Sequence, residues 1–196
     1  MQIDYYFATV SPYTYLSGTR PAEVAAKHGA TLNYVPLDIM ALFGRTGGTP
    51  PKDRHENRKA YRLQEMRRSA AKYGLPMNLK PAHWPTNPAP SSYAFIAAQT
   101  DGSGDLGALV FALTRACWAE DRDIAEDDVI ADCLEAAGFE RRLVNAGMME
   151  GAERYARNLE DAVAAGVFGA PFFIVGEERF WGADRIDDLD AHLATL

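Results

Sequence analysis

The chain opens on a compact apolar run, Ile3 to Phe7, which is aromatic and β-branched at its start and predicts a buried strand. Ser11 then stands where a helix N-cap belongs. Pro12 takes the first helical position, where its missing donor is harmless, and the helix is predicted to run to about Lys27 and to stop at Gly29. TLNYVPL, residues 31–37, reads as a second strand weakened at its end by Pro36. Strand, helix, strand in this order is a βαβ unit whose helix covers one face of a sheet.

The stretch FGRTGGTPPKDRHENRK, residues 43–59, is rich in glycine, proline and charge and predicts a loop, either an ordinary linker or a lid over a site. A helical period begins near Asn57 and runs to Lys72, with Gly74 and Pro76 as its stop. PAHWPTNPAP, residues 81–90, holds too many prolines for a regular element and predicts an extended connector. Helical runs follow at roughly 91–99, 104–119, 125–137, 139–145 and 149–165. Leu106, Val110, Leu113 and Cys117 form an inward stripe in one of them, and Tyr155, Leu159, Ala162 and Val163 do so in the last. FFIVG at 172–176 and RFWG at 179–182 read as two strands joined by a turn through Gly176, Glu177 and Glu178. Residues 184–194 close the chain as an amphipathic helix with Ile186, Leu189 and Leu193 inward. The plan is βαβ, a helical insertion of more than a hundred residues, then ββα.

Composition changes this picture mainly by exclusion. The 196 residues, 47% hydrophobic, suffice for one elaborated domain or two small ones sharing an interface. A net charge of -7 provides no whole-chain positive field to gather nucleic acid or an anionic membrane. No stretch approaches about 20 apolar residues, and the start Met1-Gln2-Ile3-Asp4 lacks the pattern of a secretory signal, so a cytoplasmic location is expected. Cys117 and Cys133 sit in helical segments outside any Cys-x-x-Cys pair and read as buried free thiols. The four histidines show no ligand spacing around them, so no metal is expected; His28, His83 and His192 read as surface or packing residues.

Three places carry candidate chemistry. The Ser11 hydroxyl either accepts from the Thr14 N–H as a cap or donates to an anion held at the helix start. Tyr5, Tyr6, Tyr13 and Tyr15 nearby line a pocket or fill the core. In GVFGAPFFIV, a cis Ala170–Pro171 bond would turn the N–H and C=O of Ala170 outward to pair with an extended ligand. In FWGADRIDDL, Asp184 is the natural N-cap of the last helix, and a cap that also faces a cleft would hold an ammonium group. No glycine-rich phosphate loop, paired helical histidines or G-x-S-x-G elbow is present.

SPYTYL after the first strand, GVFGAP before the third and FWGADRIDDL at the last helix together resemble the 2-hydroxychromene-2-carboxylate isomerases, relatives of the kappa-class glutathione transferases and, more distantly, of the disulfide oxidases of the thioredoxin superfamily. The resemblance covers essentially the whole chain. It implies an α/β fold in which a thioredoxin-like, glutathione-binding domain, residues 1–40 and 166–196, is interrupted by a helical insertion domain, residues 41–165, bearing a lid and an aromatic-substrate pocket. It implies that Ser11 replaces the redox cysteine and faces the glutathione thiol. Ala170 and Pro171 would pair with the cysteinyl unit, and Ala183 and Asp184 would receive the γ-glutamyl end.

In the lid, an asparagine of a Gly-Asn-x-Pro-Pro stretch is replaced by Gly48, and a lysine before the next helix by Arg58, which the resemblance places among the glutathione-binding residues. Tyr61, Glu65 and Arg68 resemble a tyrosine-acid-arginine pattern in which the acid is usually aspartate, while Asn57, Tyr61, Trp84 and Asn87 are placed beside the aromatic substrate. The activity implied is glutathione-dependent cis-trans isomerisation of 2-hydroxychromene-2-carboxylate or a related hydroxybenzylidenepyruvate in aromatic catabolism, with glutathione acting as cofactor and not consumed. A homodimer is implied as well. A kappa-like transferase and a non-catalytic glutathione-binding protein are the alternatives. A disulfide oxidoreductase is disfavoured, because neither Ser11 nor Thr14 is a cysteine.

Overall fold

The computed structural model describes residues 1–146 and 148–196. Four strands, β1 (Gln2–Phe7), β2 (Thr31–Pro36), β3 (Phe172–Val175) and β4 (Glu178–Trp181), form one sheet in the order β2-β1-β3-β4. β1 runs parallel to β2 with Tyr5 opposite Tyr34, and antiparallel to β3 with Tyr5 opposite Phe173. β3 and β4 form a hairpin in which Val175 pairs with Glu178, so the turn is the dipeptide Gly176-Glu177 and the expected turn residue Glu178 belongs to the strand. Gly176, at φ 59°, supplies the left-handed backbone such a tight turn requires.

Side chains alternate across the sheet as the pleat demands. Ile3, Tyr5, Phe7, Phe173 and Val175 face one core, while Tyr6, Ala8, Val35, Phe172 and Ile174 face another. Helices α1 (Pro12–Ser17) and α2 (Arg20–Lys27) follow β1. The single helix expected from Pro12 to Lys27 is therefore two. Gly18, at φ 57° and ψ -138°, ends α1 and its N–H bonds to the Tyr15 carbonyl; Pro21 then helps restart the chain in a new direction.

A further difference is α3 (Ile39–Thr46), which takes up residues 43–46 of the expected loop. Asp38 caps it by accepting from the N–H groups of Met40 and Ala41, and its Ile39 and Leu42 pack on the second sheet face with Ala162 and Val167. The loop proper is thus 47–55, containing one 3-10 turn at Pro51–Asp53. The helices that follow are α4 (Glu56–Tyr73), α5 (Ala89–Asp101), α6 (Leu106–Ala119), α7 (Asp127–Ala136) and α8 (Met148–Ala164). The run expected at 139–145 is a 3-10 turn, Arg141–Val144.

Of the predicted stripes, Val110, Leu113 and Cys117 of α6 and Tyr155 and Ala162 of α8 are buried, while Leu106, Leu159 and Val163 are partly buried against the same cores. Asn158 of α8, also buried, donates from Nδ2 to the Pro36 carbonyl at 2.9 Å, which ties that helix to the end of β2. A 3-10 turn, Ala183–Arg185, leads into α9 (Ile186–Leu193), whose Ile186, Leu189 and Leu193 are buried as predicted. The result is the α/β thioredoxin-like plan, βαβ and ββα in one sheet, with an all-helical stretch inserted between the two halves.

Candidate functional site

The site is assembled where β1 ends. Ser11 has extended backbone angles, φ -80° and ψ 125°, and turns the chain from strand into α1. Its Oγ accepts from the Thr14 N–H at 3.2 Å, so the capping role is real. The same hydroxyl donates its proton to the Ala170 carbonyl at 3.3 Å, across 159 residues of sequence. That second bond is longer than the usual O–H···O distance, so the proton is held weakly and can be redirected to a better acceptor. α1 spans only six residues, so the helix dipole contributes little here and the hydroxyl is the polar feature of the turn.

Ala170 precedes Pro171 through a cis bond, as expected; Trp84–Pro85 is cis as well, for which the sequence carries no signal. Ala170 is 8% exposed, and among the described residues its N–H finds no acceptor. The Pro171 carbonyl accepts from Gly182 at 3.0 Å, which brings the start of β3 beside the turn that holds Ala183 and Asp184. There the N-cap expectation for Asp184 fails. α9 begins at Ile186 without a side-chain cap, and Asp184 lies within the preceding 3-10 turn, exposed and paired with Arg185 at 3.2 Å. Gly182, at φ 117°, makes this possible: a Cβ there would lie 2.4 Å from the Asp184 Oδ1, so the carboxylate folds back over the glycine instead of along the helix axis. Ala183 is buried, and its carbonyl accepts from Arg20 Nη2 at 2.8 Å.

Beneath Ser11, the Val10 carbonyl accepts two indole N–H groups, from Trp118 at 3.1 Å and Trp84 at 3.2 Å. The two rings stand 5.5 Å apart. Trp84 therefore spends its polar atom on the scaffold of the turn. Asn87 likewise accepts the Ala89 N–H at 3.1 Å, fixing the start of α5.

The inner face of α4 supplies residues that sequence reasoning placed elsewhere or overlooked. Tyr13 donates to Glu65 at 2.8 Å, and burial, reinforced by that carboxylate, pushes the Tyr13 phenol up. Arg62 lies 5.1 Å from the Trp84 ring centre and 5.8 Å from that of Trp118. Burial is the main reason its pKa is lowered, with Arg54 adding to the effect. Arg54 donates from Nε to the Thr49 carbonyl at 2.8 Å and stands 5.8 Å from the Phe43 ring centre.

Asn57, Arg58 and Tyr61 are exposed on α4, Tyr61 at 57%, with Arg68 5.5 Å from the Tyr61 ring. They make no hydrogen bond or ion pair to Ser11, Ala170 or Asp184 among the described residues. The signal that would have found Arg62 is its spacing: it lies three residues before Glu65 and four before the fully buried Met66, hence on the inward side of the helix.

Gly48, where the resemblance leads one to expect asparagine, is equally informative. A Cβ at this position would meet Phe43 Cδ1 at 2.3 Å and Cγ at 2.9 Å. The Phe43 ring therefore fills the space of the missing side chain. Both cysteines are buried, and burial pushes the thiols of Cys117 and Cys133 up to about 12, so neither offers a thiolate near neutral pH.

Comparison with known proteins agrees with this arrangement. The DSBA-like thioredoxin domain family matches residues 2–194. A 2-hydroxychromene-2-carboxylate isomerase from Sphingobium xenophagum is 30% identical over 196 residues, covering 97% of each chain. The solved structure of a 2-hydroxychromene-2-carboxylate isomerase superposes with a TM-score of 0.79 at 25% identity, covering 100% of this chain and 95% of that one. A cytosolic disulfide reductase, DsbM from Pseudomonas aeruginosa, shares the fold at a TM-score of 0.70 and 18% identity, covering 100% and 98%. With serine in place of cysteine at the turn, a cis proline facing it and this similarity along the whole length, the chain belongs to the 2-hydroxychromene-2-carboxylate isomerase family, built on a DSBA-like thioredoxin domain.

Proposed function

We propose that this protein is a glutathione-dependent isomerase of 2-hydroxychromene-2-carboxylate or a related hydroxybenzylidenepyruvate, acting in the breakdown of aromatic compounds. The observation that carries the reading is the weakly held Ser11 proton, 3.3 Å from the carbonyl of the residue before the cis proline.

The residues present fit a tripeptide thiol. The Ala170 N–H has no acceptor among the described residues, as suits a backbone that pairs with an extended ligand, and the Ala170 carbonyl keeps a second lone pair. Ser11, Ala170 and Pro171 would hold the cysteinyl unit, while Ala183 and Asp184 at the neighbouring turn would receive the γ-glutamyl end. When bound, glutathione supplies a nucleophilic thiol that adds reversibly to a conjugated double bond and so allows rotation about it.

The work left to the chain is positional and electrostatic. Ser11 turns its proton from the Ala170 carbonyl toward the sulfur, which favours the thiolate without removing its nucleophilicity. The paired indoles on the Val10 carbonyl keep that hydroxyl from drifting. Tyr13 stays protonated because it is buried and donates to Glu65, so it presents a neutral wall and not a second anion. The same reading carries a cytoplasmic setting and a homodimer, the latter open to sedimentation analysis.

The test is a spectrophotometric isomerisation assay with and without glutathione, comparing the parent with Ser11→Ala. Glutathione-dependent turnover that survives unchanged in the variant, or no dependence on glutathione in the parent, would overturn the assignment. Following free thiol in the same assay separates isomerisation from conjugation, because only conjugation depletes it. Glutathione binding without turnover would mark a binding protein.

A further inference from the structure

We infer that Arg62, with Arg54 beside it, forms a carboxylate subsite between the loop 47–55, α4 and the Trp84–Trp118 pair, and that it takes the carboxylate of an aromatic 2-oxo acid. The inference rests on the proposed activity for the identity of the ligand, but its structural grounds are independent of it.

Arg62 is partly buried, and among the described residues no carboxylate lies within 4 Å of its guanidinium, whose polar neighbour is the Tyr13 hydroxyl, itself spent as a donor on Glu65. Arg45, Arg122 and Arg141, on the surface, each hold a carboxylate, at 2.7, 2.6 and 2.5 Å. The pattern is the reverse of what stability alone selects, since a cation withdrawn from water needs its partner most. The nearest acid, Glu65, has an oxygen committed to the Tyr13 hydroxyl. The two indoles satisfy one flat face of the guanidinium and none of its five donors.

Arg54 places a second cation close enough to depress the pKa of Arg62, and among the described residues it donates only from Nε, to the Thr49 carbonyl. Two neighbouring guanidinium groups repel unless an anion joins them, and their planar forks match a carboxylate. Phe43 occupies the space beside Gly48 and lies under Arg54, so the feature that removes the expected lid asparagine also seats this arginine.

The location suits the proposed reaction. The indoles under Arg62 both donate to Val10, the residue before Ser11. A carboxylate on Arg62 is thereby anchored to the same scaffold as the thiol-facing hydroxyl. On a chain of net charge -7, a local cationic pair also offsets the general repulsion of an anionic substrate.

A carboxylate also terminates glutathione, so the test has separate arms. Calorimetric titration of the full chain with trans-cinnamate, trans-cinnamamide and glutathione is compared across the parent, Arg62→Gln, Arg62→Lys and Arg54→Gln. Arg62→Gln is expected to weaken cinnamate about tenfold, Arg54→Gln less, and Arg62→Lys by an intermediate amount because the charge stays but the fork is lost. Cinnamamide is expected to bind weakly and equally to all four, and glutathione to be unchanged. Loss confined to glutathione would overturn the assignment to the aromatic acid and give the subsite to the glycyl end. Cinnamate affinity untouched by both Gln variants, or no cinnamate binding by the parent at millimolar concentration, would overturn the subsite itself. Arg62-dependent cinnamate binding in a parent without isomerase turnover would uphold the subsite while defeating the proposed activity. Arg54 lies in a surface loop, so its variant keeps the test decisive if Arg62→Gln folds poorly.

Discussion

The Ser11–Ala170 contact and the inner face of α4 meet at one turn but are built on opposite terms. At the first, each polar atom of Ser11 has a partner: a backbone donor three residues away and a carbonyl 159 residues away. At the second, Arg62 is packed on two indoles with no carboxylate paired to it among the described residues. The first arrangement fixes a reactive hydroxyl; the second holds a charge in reserve. The contrast shows how one support, the Trp84–Trp118 pair on the Val10 carbonyl, can serve both a fully partnered hydroxyl and a cation left without a carboxylate.

The largest expected effect comes from removing that shared support. Trp118 is fully buried, so Trp118→Ala should cost about 3–5 kcal/mol in urea unfolding, whereas Trp118→Phe should cost clearly less. Equal urea midpoints for parent and Ala variant would dissolve the common basis of the two regions.

A pH experiment compares Arg62 with buried groups that can neutralise themselves. The folded-state pKa of Cys117 and Cys133 is raised from 9.0 to about 12, so their contribution to stability is complete below pH 9.0 and is lost as pH rises toward about 12. Alkaline unfolding should therefore become less steep in the double Cys→Ala variant after correction for its lower baseline. The native thiols should also react with an aromatic disulfide reagent only as fast as the protein opens. Rapid native labelling at pH 8 would contradict their burial.

Ser11→Ala is expected to lower stability by about 1 kcal/mol, measured by the same urea method, from loss of the cap. Tyr13→Phe should cost about 0.5–1.5 kcal/mol, since it removes one donor from Glu65 and no volume from the core. Smallest of all are Asn57→Ala, Arg58→Ala and Tyr61→Ala on the exposed side of α4, each expected to shift stability by no more than about 0.5 kcal/mol. A large change at any of these would mean that the outer face, and not the inner, carries the structural burden.

The legible parts of the molecule were those in which neighbouring residues fix the outcome. Ser11-Pro12 announces a cap and a helix start, Ala170-Pro171 announces the strand entrance, and Ile186, Leu189 and Leu193 mark the buried side of α9. The misread parts depended on partners far away in sequence. Gly18 breaks the first helix, a residue tolerable within a helical pattern until the chain must change direction. α3 was hidden by the glycines that follow it, although Asp38 caps it and the second sheet face buries Ile39 and Leu42. Asp184 carries the residue type of a cap, yet Gly182 lets its carboxylate fold backward.

Arg58, Tyr61 and Asn57 against Arg62 and Glu65 is a matter of helix rotation. A helix presents a new direction every 100° or so, and which direction becomes the inside is decided by what packs there, in this case α1 and the two tryptophans. The sequence by itself determined the order of the four strands and of the long helices, the serine at the turn and the proline opposite it, because caps, breakers and hydrophobic periods act within a few residues. Tertiary structure alone decided which cations face that turn and which stay in water, because desolvation belongs to the packed assembly and not to any one segment.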